Sequence, residues 1–347
     1  MSDRIRVQTG VATRVLLGPG ARHRVPDEVE RLGAKAVLLV AGMRQDAAGE
    51  LADALGRRLA LRFARPTVHT PVTVTDEVMG LVADRGGVDA VVALGGGSAV
   101  GLAKAVAART GIPQVAVPTT YAGSEVTPVL GETSGGVKTT RRDPALQPGT
   151  VVYDPELTLS MPPGLTLTSA LNALAHAVEG LWDAEASPGA LAYATEAATT
   201  ILAALPAVLD RPDDVGAREE LQGAAWLAGV VLAQSRMGLH HQLAHVLGGA
   251  FDLPHAPLHA MLLAHVMEYD LPAAPRAQAR LARIADGDPV AAVRALAARF
   301  DGPRALRDLG VPEDGLRAIA ERVVAHPYPN PRALDVASVH ALLRTAW

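Results

Sequence analysis

Apolar residues run in short continuous blocks through the first part of the chain and then take up the spacing of helical faces. AVLLVAG (Ala36–Gly42) is apolar almost throughout, as a parallel strand covered on both faces should be. LALRFA, VDAVVALGGGS and PQVAVPTT repeat that pattern, interleaved with predicted helices through Asp76–Asp84 and up to Arg109. Ahead of them, RVQTG and TRVLLGPG within Ile5–Pro19 alternate like a strand pair, and a short polar helix covers Asp27–Leu32. After VVYDP (Val151–Pro155) the character changes: Ala-rich helices are predicted at 169–183, 189–209, 217–236, 256–270, 276–285, 303–309, 313–326 and 334–346. A further helix, Leu239–Leu247, ends at Gly248 and Gly249, and FDLP turns the chain so that His255 opens the next one. The pattern predicts an open α/β domain over 1–156 and an all-helical domain over 157–347, the change falling within Asp154–Met161.

Composition narrows this further. A chain of 347 residues, 49% hydrophobic and 20% charged, suits two folded globular domains. With aromatics at 3%, packing falls to Ala, Val and Leu. Zero cysteines excludes disulfides, thiolate metal sites and cysteine nucleophiles. A net charge of −4 argues against a nucleic-acid partner. No apolar run reads as long enough to span a bilayer, and MSDRIRVQTG lacks the apolar core of a signal peptide, so a cytoplasmic protein with no membrane partner is expected.

Candidate chemistry sits at four places. Gly95, Gly96, Gly97 and Ser98 hand a strand over to a helix, where backbone N–H groups of Ser98, Ala99 and Val100 would face a pyrophosphate; tight packing is the plainer use of such glycines. Thr119, Thr120 and Ser124 in PTTYAGSE follow the next strand and offer hydroxyls to a ribose or a nicotinamide amide, or simply cap a loop. Asn172 and His176 lie one helical turn apart, with a metal, a substrate or the backbone as possible partners. GLHHQLAHVLGGAFDLPHAPLHAMLLAH, Gly238–His265, holds six of the eleven histidines in apolar company. Burying several imidazoles together is costly unless something uses them, to bind a metal or to move a proton.

GGGSAVGLAKA, VPTTYAGSEVTP, GGVKTTRRDP, TVVYDPELTLSMPP, LNALAHAVEGL, GLHHQLAHVLGGAFDLPHAPLHA and PYPNPRALDVASVHALLRTAW together resemble the iron-containing alcohol dehydrogenase family, over nearly the whole chain. Within it they look like its maleylacetate reductase branch. The resemblance implies a dehydroquinate synthase-like fold, with a Rossmann-like N-terminal NAD(P)-binding domain and an all-α C-terminal catalytic domain. It also implies NADH or NADPH as cofactor and usually a homodimer. The expected reaction is reduction of the conjugated C=C of the dicarboxylate 2-maleylacetate to give 3-oxoadipate. The alternatives are a metal-dependent alcohol or aldehyde dehydrogenase, an enone or ketone reductase of biosynthesis, and a lyase of the dehydroquinate synthase type.

Carried over residue by residue, the metal ligands of iron-dependent members fall on Asn172, His176, His241 and His255. The first is Asp in those enzymes; as an amide it is a weak donor, so a divalent metal (Fe or Zn) is expected to be disfavoured. Catalysis is then expected of His241 and His245 against the substrate, one donating to an enolate oxygen and one relaying a proton, with His176 and His255 completing a polar wall and ordinary pH dependence near neutrality. Lys138 would serve the cofactor ribose or a substrate carboxylate. Tyr121, Asn172 and Arg142 complete the expected substrate contacts, with Arg141 beside them. Gly149 stands where relatives often carry Arg. Gly42, with Arg44 nearby, leaves NADPH open.

Overall fold

The computed structural model describes residues 13–42, 46–326 and 328–347. They divide into two compact units at Met161/Pro162. The expected RVQTG strand and Arg44 lie outside the described residues.

The first unit contains β1 (Arg14–Leu17), β2 (Val37–Ala41), β3 (Leu59–Phe63), β4 (Ala90–Gly95), β5 (Gln114–Pro118), β6 (Val129–Ser134), β7 (Val137–Arg142) and β8 (Thr150–Tyr153). Six of them form a parallel sheet in the order β1-β8-β5-β4-β2-β3. β2, β4 and β5 are buried at every position, which is why they read as unbroken apolar runs. Val37, Leu39 and Ala41 pack with Val92, Leu94, Val115, Val117 and Val152 in one core. Helices α1 (Val25–Arg31), α2 (Ala47–Leu55), α3 (Val72–Asp84) and α4 (Gly97–Thr110) connect the strands. β1 lies parallel to β8, with Arg14 opposite Thr150. β6 and β7 form a separate antiparallel hairpin that the sequence reading lacked, turning at Gly135 and Gly136 with φ of 55° and 79°.

The second unit is helical: α5 (Pro163–Trp182), α6 (Pro188–Asp210), α7 (Val215–Gln234), α8 (Leu239–Phe251), α9 (His255–Asp270), α10 (Pro275–Ile284), α11 (Pro289–Ala297), α12 (Leu316–Ala325) and α13 (Val336–Ala346). α5 is its axis, buried from Thr166 to Trp182 and packed on α6, α7 and α9. A Cβ at Gly180 would lie 2.2 Å from Val231 Cγ1, so α5 and α7 approach at a distance that glycine alone permits. α6 departs from the expectation that no run could span a bilayer, since by length and composition it is apolar enough to cross a membrane. Its Ala190, Ala194, Ala197, Ile201 and Leu205 are buried where it packs on α5 and α7. α8 runs through Gly248 and Gly249 to Phe251 and stops at Asp252, whose φ of 52° is left-handed. The helix expected at 303–309 is a 3₁₀ turn over Leu306–Leu309.

Candidate active site

Three helices of the second unit bring six imidazoles together. α5 supplies Asn172, His176 and Glu179 along one face, α8 supplies His240, His241 and His245, and α9 supplies His255 and His259 one turn apart. Ring centroids lie 5.0 Å apart for His176 and His241, 4.9 Å for His241 and His259, 4.9 Å for His240 and His259, and 4.2 Å for His255 and His259. His245 sits at the edge, 6.2 Å from His241 and 6.3 Å from His255. His176, His240, His241 and His259 are buried, while His245 and His255 are exposed. His265, on the same α9, points elsewhere and bonds Thr345 Oγ1 at 3.1 Å.

Hydrogen bonds fix which nitrogen of each ring stays bare. His240 Nε2 lies 2.9 Å from the His259 carbonyl, which can only accept, so Nε2 carries the hydrogen and buried Nδ1 keeps its lone pair. His241 Nδ1 lies 2.5 Å from Glu179 Oε2 and donates to it, leaving Nε2 buried and unpartnered. Neither nitrogen of His259, nor His176 Nδ1, nor Asn172 Oδ1 has a partner among the described residues. One nitrogen from each of His240, His241 and His259 falls within 4.8 Å of the others.

Burial keeps these rings neutral. It pushes His240 down to about 4, with His241 adding to the effect and Glu179 opposing it. Burial and neighbouring imidazoles hold His176, His241 and His259 well below the ordinary histidine value. The expected titration near neutrality therefore does not apply to these four. Each is already in the lone-pair form that a metal needs.

The start of α8 is held from the far end of the chain. Asn330 Oδ1 accepts from Leu239 N at 3.2 Å, and Asn330 Nδ2 donates to Asp270 Oδ1 at 2.6 Å. Gly238 fits beneath this clasp; a Cβ there would lie 2.9 Å from the Pro329 carbonyl.

In the first unit, Gly95 opposes Pro118 in the parallel register, and Thr119 N donates to the Gly95 carbonyl at 3.2 Å. That pairing sets Gly95, Gly96, Gly97 and Ser98 beside Thr119 and Thr120. A Cβ at Gly96 would meet Thr120 Cγ2 at 2.9 Å. Ala99 N and Val100 N bond the Gly96 carbonyl at 3.0 and 3.2 Å, while Gly97 and Ser98 open the helix N-terminus. Lys104, which the sequence reading passed over, is buried in α4, where its Nζ donates to the carbonyls of Ser124, Thr127 and Val129 at 2.6, 2.7 and 3.0 Å. It pins the loop that carries Ser124, whose hydroxyl is buried without a partner among the described residues. Tyr121, expected at the substrate, is fully buried with its OH on Thr158 Oγ1 at 3.3 Å. Lys138 and Arg142 are exposed on β7.

The description Iron-containing alcohol dehydrogenase matches residues 12–155, and Fe-containing alcohol dehydrogenase family, C-terminal, matches 166–347. The chain belongs to the iron-containing alcohol dehydrogenase family. Membership makes it an NAD(P)H-dependent oxidoreductase. It is 44% identical over 342 residues to a maleylacetate reductase of Rhizobium sp. (strain MTP-10005), covering 98% of this chain and 97% of that one. A maleylacetate reductase of Burkholderia cepacia is 42% identical over 336 residues, 96% of this chain and 95% of its own. The crystal structure of maleylacetate reductase from Agrobacterium tumefaciens superposes with a TM-score of 0.94 at 43% identity, covering 99% of this chain and 98% of that one.

The expectation of a disfavoured metal is corrected by this geometry. It rested on Asn172 replacing the one anionic ligand, and on the set Asn172, His176, His241 and His255. Nitrogens of His240, His241 and His259 converge within 4.8 Å of one another, and the Glu179 carboxyl group stands behind His241. Buried, neutral imidazoles with bare lone pairs fit Zn²⁺ or Fe²⁺. His240 and His259 were visible as the HH pair and as the residue one turn after His255, but spacing could not say that their rings meet.

Proposed function

We propose that this enzyme reduces the conjugated C=C of 2-maleylacetate with NADH or NADPH to give 3-oxoadipate. The near full-length likeness to maleylacetate reductases supports the substrate, and the buried imidazole cluster with an exposed histidine rim is the observation that carries the chemistry. The reduced nicotinamide supplies a hydride, and a dication, when held by His240, His241 and His259, supplies positive charge.

Hydride addition at the carbon β to the ketone leaves negative charge on the ketone oxygen as an enolate. The cluster is suited to receive that oxygen: its rings are fixed before the substrate arrives, so little reorganisation is needed. His245 and His255, on the exposed rim, hold and move the proton that reaches the α carbon. Hydride and proton together saturate the double bond. His176 and Asn172 line the α5 side of the cluster. Gly95, Gly96, Gly97 and Ser98 take the cofactor pyrophosphate, with Thr119, Thr120 and Ser124 as the adjoining polar loop. Lys138 and Arg142 are the cations we assign to the substrate carboxylates. A cytoplasmic homodimer completes the proposal, and light scattering of the purified protein tests its assembly.

The deciding assay follows NADH and NADPH oxidation with maleylacetate against a panel of aldehydes and enones, before and after chelation. Turnover of maleylacetate well above every other compound is the expected outcome. Preference for an aldehyde would instead favour an alcohol or aldehyde oxidoreductase, a second reading to which the three-imidazole group also lends itself.

A further inference from the structure

Glu179 is fully buried, as is Asp270 of the same unit, and it touches two consecutive residues of α8 in different ways. Its Oε1 accepts the His240 backbone N–H at 2.9 Å. Its Oε2 takes the hydrogen of His241 Nδ1 at 2.5 Å. The Oε1 contact places a carboxylate at the N-terminus of a 13-residue helix, where unsatisfied N–H groups and the helix dipole favour negative charge. Burial pushes the carboxyl up, while His240 and the backbone N–H groups of Gly238, His240 and His241 draw it back. Gly180, which follows it, locks α5 against α7, so the side chain has a fixed origin.

We propose that Glu179 is a positioning residue that sets the tautomer of His241, so that the bare Nε2 lone pair is the one offered to the converging nitrogens of His240 and His259. In the ionised form, which the N–H groups at the start of α8 favour, both carboxylate oxygens are acceptors, and Oε2 then admits only the Nδ1–H form of the ring. A glutamine reverses this by the same geometry. Its carbonyl must stay on the His240 N–H, because an amide nitrogen there would set donor against donor. The NH₂ then faces His241 Nδ1, which must accept, and the hydrogen moves to Nε2. E179Q thus keeps size, helix contact and nearly all packing while closing the lone pair.

The inference rests on the imidazole cluster being the working site, and its readouts are independent of substrate and turnover. Histidine ¹⁵N-labelled protein, stripped with chelator and assigned with His241→Gln, reports which ring nitrogen carries the hydrogen. Wild type is expected to show Nδ1–H at His241, and E179Q to show Nε2–H. Zn²⁺ titration should find binding weakened about 10- to 100-fold in E179Q, with the circular dichroism of the fold retained. Glu179→Asp, too short to reach both groups, should weaken it in the same direction. An Nε2–H tautomer in wild type overturns the proposal. So does an E179Q protein that binds Zn²⁺ as tightly as wild type. Should E179Q fail to fold, the wild-type tautomer decides alone.

Discussion

Replacing His245 by Ala removes an exposed ring of the histidine rim without opening the buried group beneath it. Turnover should fall about 10²–10³-fold, as loss of a proton-handling group typically does, while the melting temperature stays near that of wild type. Full turnover in a steady-state assay would remove His245 from the mechanism. Gly96→Ala makes the opposite test, in the first unit. The added Cβ meets Thr120 at 2.9 Å, so the loop must shift, and KM for the dinucleotide should rise by about tenfold, roughly 1.4 kcal/mol, with less change in kcat. At this scale the sequence was informative about residue types and poor about partners. His241 stood out because it sits in an apolar histidine-rich stretch. Glu179 did not: on an Ala-rich helix a glutamate reads as solvated, and its partner is 62 residues further along the chain. The loop sequence around Tyr121 likewise gave no sign that its hydroxyl turns inward to Thr158.

Helix α5 carries both residues of the site and, at Gly180, a close approach to α7 that has no room for a Cβ, so element packing and site geometry are one problem. Gly180→Ala should force α5 away from Val231 on α7 and lower stability by roughly 1–3 kcal/mol, read as a shift in the denaturation midpoint; an unchanged midpoint would mean that α7 gives way freely. The elements most visible in the sequence were those whose local pattern and tertiary surroundings agree. β2, β4 and β5 are buried on both faces and are written in Val, Leu and Ala. The β6–β7 hairpin was missed although SGGV is a two-glycine turn signal, because Val137–Arg142 is exposed at every position and has no apolar alternation. α8 outran its predicted stop because Gly248 and Gly249 tolerate helical backbone, and the left-handed residue that ends it is Asp252.

The two-unit organisation could be read from the change in hydrophobic period, but the stability of the helical unit depends on charges that the period does not report. Five of its histidines, His176, His240, His241, His259 and His265, are lowered, first of all by burial. Folded they stay neutral, whereas unfolded they take a proton below about 6.5, so acid favours unfolding. Stability is thus full above that value and is lost as pH falls toward about 4, the His240 limit, at up to about 1.4 kcal/mol per unit for each ring. Asp270, raised to about 7, and Glu179 act in the opposite sense, but the rings outnumber them. Calorimetry from about pH 7.5 to about 5.5 should show a falling melting temperature; a flat profile would contradict the burial of these rings. Zn²⁺ at about 100 times its dissociation constant should add about 2.7 kcal/mol, and His259→Ala should abolish that gain.

The clasp made by Asn330 has a consequence for synthesis. Leu239 and Asp270 are both translated well before Asn330, the side chain that ties them together. A nascent chain halted ahead of that asparagine can already contain every histidine of the cluster and still lack the tie that seats the start of α8. Metal capture by such a ribosome-bound fragment should lag behind that of a chain extended past Asn330, so that the tie, rather than the histidines, would time the loading of the site.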